Sequence, residues 1–110
     1  MSFAIITSAK FDRYIKRLAK KYASMADDFA KLLAELRANP QAGEPLGRDC
    51  YKVRMSIAAK NKGKSGGARV ITCVKVVGET IFLLTIYDKS VQESISDQEP
   101  DELLRENGLL

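Results

Sequence analysis

Between residues 50 and 78 the chain carries seven Lys or Arg and no Asp or Glu. Lys52, Arg54, Lys60, Lys62, Lys64, Arg69 and Lys75 repel one another unless an anion joins them, so the stretch predicts a polyphosphate partner, RNA first. A run of surface lysines is often only solvated charge. Arg54 and Arg69 argue for more, because a guanidinium fork can grip a phosphate through two hydrogen bonds. The chain has no histidine. A histidine-based hydrolytic triad, a histidine-ligated zinc site and a paired-histidine ribonuclease are therefore excluded. Two cysteines alone cannot close a tetrahedral zinc site, and no acidic cluster suited to magnesium is legible. No metal or other cofactor is expected, and catalysis falls to Lys, Arg, Tyr, Ser, Thr or carboxylates.

Two further stretches invite chemistry. Gly63-Lys64-Ser65 has the look of a phosphate-binding P-loop. The pattern needs a glycine where Ala58 stands and a helix directly after, whereas Gly66-Gly67 and a strand follow, so nucleotide triphosphate binding is rejected. Tyr87-Asp88-Lys89 ends an apolar run. Tyr87 there is able to stack on a base or give up a proton, or to turn its ring into the core.

The elements that position these residues follow from periodicity. Phe3 to Ile6 reads as a strand, with Thr7 or Ser8 capping the helix after it. Phe11, Ile15, Leu18 and Tyr22 recur at helical spacing among Lys10, Arg13, Lys16, Arg17, Lys20 and Lys21, which predicts an amphipathic helix with a basic outer side. Asp27 and Asp28 read as helix-start charges, Phe29, Leu32, Leu33 and Leu36 as the stripe of a second helix, and Asn39-Pro40 as its end. The short join predicts an antiparallel helical hairpin. Residues 40–49, with Pro40, Gly43, Pro45 and Gly47, read as a loop.

The period then changes to two. Tyr51, Val53, Met55 and Ile57 alternate with Lys52, Arg54 and Ser56, the pattern of a half-buried strand. Residues 61–67 read as a flexible turn, Arg69 to Val76 as a second strand and Ile81 to Tyr87 as a central strand covered on both faces. Val91 to Leu110 predicts one or two weak helical pieces. The expected fold is α+β in the order β-α-α-β-β-β: a helical hairpin packed on an antiparallel sheet, then a short C-terminal helix. Lys52 and Arg54 fall on the strand side without apolar neighbours, away from the helices. Arg69 and Lys75 share a face of the next strand, so folding the hairpin brings Arg69 across from Lys52 and Arg54.

The 110 residues read as one domain, 1–110, with 45% hydrophobic content. No apolar run approaches a membrane span, so no membrane partner is expected. Two cysteines without a signal peptide predict a cytoplasmic protein. Residues 1–22 hold six Lys or Arg against one Asp, and residues 90–110 hold six Asp or Glu against Arg105. The acidic tail is a candidate to fold back on the basic hairpin.

Several stretches, in this order, resemble one known family. They are Phe11-Asp12-Arg13 with Lys16 to Tyr22, then Asn39-Pro40-Gln41-Ala42-Gly43 with Pro45-Leu46-Gly47. Next come Tyr51-Lys52-Val53-Arg54, Gly63 to Ile71, and Leu83-Leu84-Thr85-Ile86-Tyr87-Asp88-Lys89-Ser90. From about Phe3 to residue 104 the chain resembles the RelE/ParE superfamily of bacterial toxins, its HigB/RelE-like branch most closely.

The resemblance implies an mRNA-cleaving toxin acting in the ribosomal 30S A site and neutralised by a cognate antitoxin. It implies Arg54 and Arg69 as the groups that meet charge on the phosphorane. Lys52, or Lys64 in its place, is implied as the base. Lys60, Lys62, Lys75, Lys89, Lys20 and Lys21 are the RNA-contact candidates. Well-known RelE proteins place an arginine and a tyrosine in the C-terminal segment, where this chain reads Gln92-Glu93-Ser94-Ile95-Ser96. Tyr87 or Lys89 then stands in as proton donor. Two other classes are weighed beside the ribonuclease: a ParE-like inhibitor of DNA gyrase and a non-catalytic RNA-binding module.

Overall fold

The structure, a computed structural model, describes residues 3–61, 63–92 and 94–110. Five strands form one sheet in the order β1-β5-β4-β3-β2. They are β1 Ala4–Thr7, β2 Glu44–Gly47, β3 Cys50–Met55, β4 Ala68–Lys75 and β5 Thr80–Asp88. The helices are α1 Ala9–Lys21, α2 Met25–Ala38 and α3 Glu99–Glu106. The expected α+β order is present, with one strand more and one strand differently directed. The extra strand is β2, inside the 40–49 stretch expected as a loop. Pro45 has no N–H to give a ladder, and it is accommodated because β2 is an edge strand. The sheet is mixed, since β1 runs parallel to β5 while the other three pairs are antiparallel. A parallel pair needs a long crossover. Here α1 and α2 carry the chain from one sheet edge to the other, and the chain returns strand by strand to end beside β1.

Local contacts explain where the helices sit. Ser8 Oγ accepts from the Phe11 N–H at 2.9 Å and donates to the Leu84 carbonyl at 2.7 Å. One side chain thus caps α1 and ties its start to β5. Phe11, Met25, Leu32 and Leu36 are buried against Val53, Val70, Leu83 and Ile86, forming the core under the hairpin. Asp28 differs from the helix-start charge expected of it. It is 4% exposed, accepts from Ser24 Oγ at 2.6 Å and from the Ala58 N–H at 3.2 Å, and so fastens α2 to the turn after β3. In that region a short 3-10 turn, Ala58–Lys60, precedes the stretch 61–67 expected as a flexible turn, and a second, Lys64–Gly66, lies within it.

The second face of the sheet is not bare. α3 lays Leu103 and Leu104 over Cys50, Ile71, Cys73, Leu84 and Tyr87. This covers one end of the Lys52–Arg54 side, which the sequence had left without helices, because β3 begins with Cys50 on that side and becomes charged only from Lys52. The acidic tail meets basic groups at two places: Asp101 reaches Arg48 at 2.8 Å and Glu106 reaches Lys10 at 3.1 Å. No helix among the described residues is long and apolar enough to cross a membrane.

Candidate active site

β3 and β4 bring the arginines together. Their register pairs Arg54 with Arg69, Lys52 with Ile71 and Cys50 with Cys73. The Val74 N–H donates to the Asp49 carbonyl at 2.9 Å, which makes Asp49 and Val74 a hydrogen-bonded pair. Such pairs alternate along an antiparallel ladder with closer, non-hydrogen-bonded ones. Counting on, Arg54 and Arg69 form one of the close pairs.

Above them opens a cleft of about 700 Å³, with Lys52, Arg54, Lys64, Arg69 and Lys89 among its walls. Arg69 is 4% exposed, and its Nη1 donates to the carbonyls of Lys64 and Ala68, each at 3.0 Å. Arg54 is exposed. Gly43 forms part of the wall at φ +101°, and a Cβ there would strike the Lys52 carbonyl.

Carboxylates also stand in the cleft, from outside the acid-free stretch. Glu44 of β2 lies 3.1 Å from Lys52 Nζ, and Glu35 of α2 lies 2.8 Å from Lys64 Nζ. Sequence reasoning missed both. The only signal for Glu44 was its place in a Pro-Gly stretch that turned out to be a strand, and Glu35 needed the docking of α2. Ser94 joins the lining as well.

The remaining expected residues fall elsewhere. Lys60, an RNA-contact candidate, is held away from the cleft lining: its side chain is 8% exposed and its Nζ sits 2.8 Å from Asp88 Oδ1. Burial pushes the Asp88 carboxyl up, but hydrogen bonds from Lys60, Tyr22 and Ser90 outweigh it and leave Asp88 well below the usual carboxylate range. Lys75 pairs with Asp49 at 3.5 Å, away from the cleft lining. Lys20 and Lys21 lie on α1, where Lys21 approaches Asp88 at 3.9 Å. Lys62 lies outside the described residues.

Tyr87 stands opposite Arg69 in the β4–β5 register, buried, with its hydroxyl enclosed. Burial raises its pKa, Arg69 opposes that rise, and Glu99 and Glu44 add to it. The phenol thus keeps its proton, but Tyr87 is not part of the cleft lining and borders a second hollow beside Tyr14 and Arg17 instead. Among the described residues no three His, Cys, Asp or Glu side chains gather as a metal set. Beneath α3 the two thiols meet across the strands. Cys50 Sγ donates to the Arg48 carbonyl at 3.6 Å, and the proximity of the two thiols pushes Cys50 up and pulls Cys73 down.

The fold has solved counterparts. It is similar to a two-site mutant of the E. coli toxin RelE in the free state, with a TM-score of 0.61 and 18% identity over 84% of this chain and 90% of that one. It is similar to a chain of the intact E. coli RelBE toxin–antitoxin complex, with a TM-score of 0.60 and 18% identity over 79% and 96% of the two chains. A chain of the RelBE2 toxin–antitoxin complex from Mycobacterium tuberculosis gives a TM-score of 0.60 and 15% identity over 80% and 92%. At these identities the likeness speaks for the fold. Kinship comes from the sequence: residues 9–107 match the family model described as the RelE toxin of the RelE/RelB toxin–antitoxin system, and the chain belongs to that toxin family.

Proposed function

We propose that this toxin is a ribosome-dependent, metal-independent endoribonuclease that cuts mRNA in the 30S A site, and that a cognate antitoxin neutralises it. The observation that carries the reading is the close pair of Arg54 and Arg69 on the floor of an open cleft of about 700 Å³. In such a cleavage the 2′-hydroxyl oxygen attacks the adjacent phosphate, and negative charge builds on the phosphorane oxygens. Guanidinium groups fixed in place meet that charge without having to reorganise, and charge stabilisation of this kind supplies the greatest share of rate enhancement in many enzymes. Arg69 is fixed by two backbone carbonyls, and Arg54, exposed beside it, can close on the phosphate from the other side. Lys89 at the cleft wall suits the neighbouring phosphates as a point charge. The antitoxin follows from the family and from the RelBE complexes in which similar folds are found.

The test is to add the protein to ribosomes programmed with a defined mRNA and to map the ends by primer extension. Cuts at codon-fixed positions, absent with Arg69→Ala, support the reading. Intact mRNA together with stabilised gyrase–DNA complexes in a parallel assay would replace it with gyrase inhibition.

A further inference from the structure

The ion pair between Lys52 and Glu44 gives the cleft a proton acceptor as well as cations. β2 and β3 set the two residues directly opposite one another, with Glu44 Oε2 3.1 Å from Lys52 Nζ. The Lys52 side chain is 24% exposed and the Glu44 side chain 65%, so the ammonium lies deeper and the carboxylate nearer the mouth. An ammonium has three donors and no lone pair, so Lys52 in this pair is equipped to give a proton, not to take one. A carboxylate is the reverse. A second pair, Glu35 with Lys64, lines the cleft from α2, and the Lys64 carbonyl holds Arg69 at 3.0 Å.

We propose that Glu44 is the general base and Lys52 the general acid of the cleavage, an inference that rests on the ribonuclease reading. Glu44 takes the proton from the 2′-hydroxyl. The 2′-oxygen forms a bond to the adjacent phosphorus, and the bond from phosphorus to the 5′-oxygen breaks. The departing 5′-oxygen takes a proton from Lys52, leaving a 2′,3′-cyclic phosphate and a 5′-hydroxyl. Glu44 then holds one proton more and Lys52 one fewer, and transfer across their contact restores both.

An mRNA with sulfur in place of the bridging 5′-oxygen at the cut linkage tests the assignment, because a thiolate leaves without being protonated. Single-turnover cleavage on programmed ribosomes is compared for the wild type, Glu44→Gln and Lys52→Ala on oxygen and sulfur substrates. Both variants are expected to cut the oxygen substrate at least ~100-fold more slowly. On the sulfur substrate Lys52→Ala returns to near the wild-type rate, whereas Glu44→Gln stays slow. Wild-type speed in Glu44→Gln, or no rescue of Lys52→Ala, overturns the assignment while leaving the ribonuclease reading intact. Wild-type protein that cuts neither substrate overturns that reading and the relay with it. Circular dichroism of Glu44→Gln, an isosteric change at an exposed position, separates loss of chemistry from loss of fold.

Discussion

Arg54 and Arg69 face each other in a close, non-hydrogen-bonded pair across β3 and β4. Like charges in that position oppose folding by roughly 0.2–1 kcal/mol, so a cost to stability accompanies their use at the cleft. Arg54→Ala is therefore expected to leave stability unchanged or raise it by up to ~0.5 kcal/mol in urea unfolding. Arg69→Ala removes the donor that two carbonyls share and is expected to lower stability by about 1–3 kcal/mol. Equal effects of the two changes would contradict the different environments seen for them.

Asp88 joins three elements through Tyr22, Lys60 and Ser90. Its carboxyl is held below the ordinary range, so it contributes stability above the unfolded-state pKa of about 3.9, and that contribution drains away as pH falls below it. Asp88→Asn leaves Lys60 buried without its counter-charge and is expected to cost roughly 3 kcal/mol at pH 7. The variant is also expected to lose less further stability than the wild type between pH 4 and pH 2, roughly the window that proton linkage sets. Parallel acid-unfolding curves would contradict this.

Gly67 comes just before β4 and accepts from the Lys89 N–H at 3.1 Å. A Cβ added there would overlap the Met55 carbonyl, which is backbone and cannot swing aside. Gly67→Ala should therefore push β3 from β4, costing about 1–3 kcal/mol. Because the same shift parts Arg54 from Arg69, cleavage should fall even at temperatures where the variant remains folded. A variant with the wild-type melting temperature and cleavage rate would show that the contact is not as tight as described.

α3 seals Cys50 and Cys73 under Leu103 and Leu104. Both thiols are at most 1% exposed, so a thiol reagent reaches them only when α3 lifts. Leu103→Ala removes packing worth about 2–5 kcal/mol and is expected to speed thiol modification of the folded protein at least tenfold. An unchanged rate would mean that another element guards the pair.

Strand and helix identity was legible where one period dominates, as with the 3.6-residue spacing of Phe11, Ile15 and Leu18 and the alternation from Tyr51 to Ile57. β2 was not, because Pro45 and Gly47 carry loop signals and an edge strand of four residues has too few side chains to show a period. Within the site, the grouping of Lys52, Arg54 and Arg69 followed from alternation and hairpin pairing alone. Their partners did not. The charge count over 50–78 saw seven cations repelling one another, while the fold brings Glu35, Glu44, Asp49 and Asp88 to four of them from elsewhere in sequence or from the turn before β3. Lys60 illustrates the difference: sequence alone offers it as an RNA contact, and only the approach of β5 shows its side chain held against Asp88.

Whether the arginine pair at the cleft floor promotes mRNA cleavage is read from the rate of a single round of cutting on programmed ribosomes, wild type against Arg54→Ala. Arg54 is the informative position, because it is exposed and its loss is expected to leave the fold intact. A drop of about 100-fold or more is expected, in keeping with the loss of one preorganised charge at a developing oxyanion. Equal rates for the two proteins would contradict the assignment of the pair to the phosphorane.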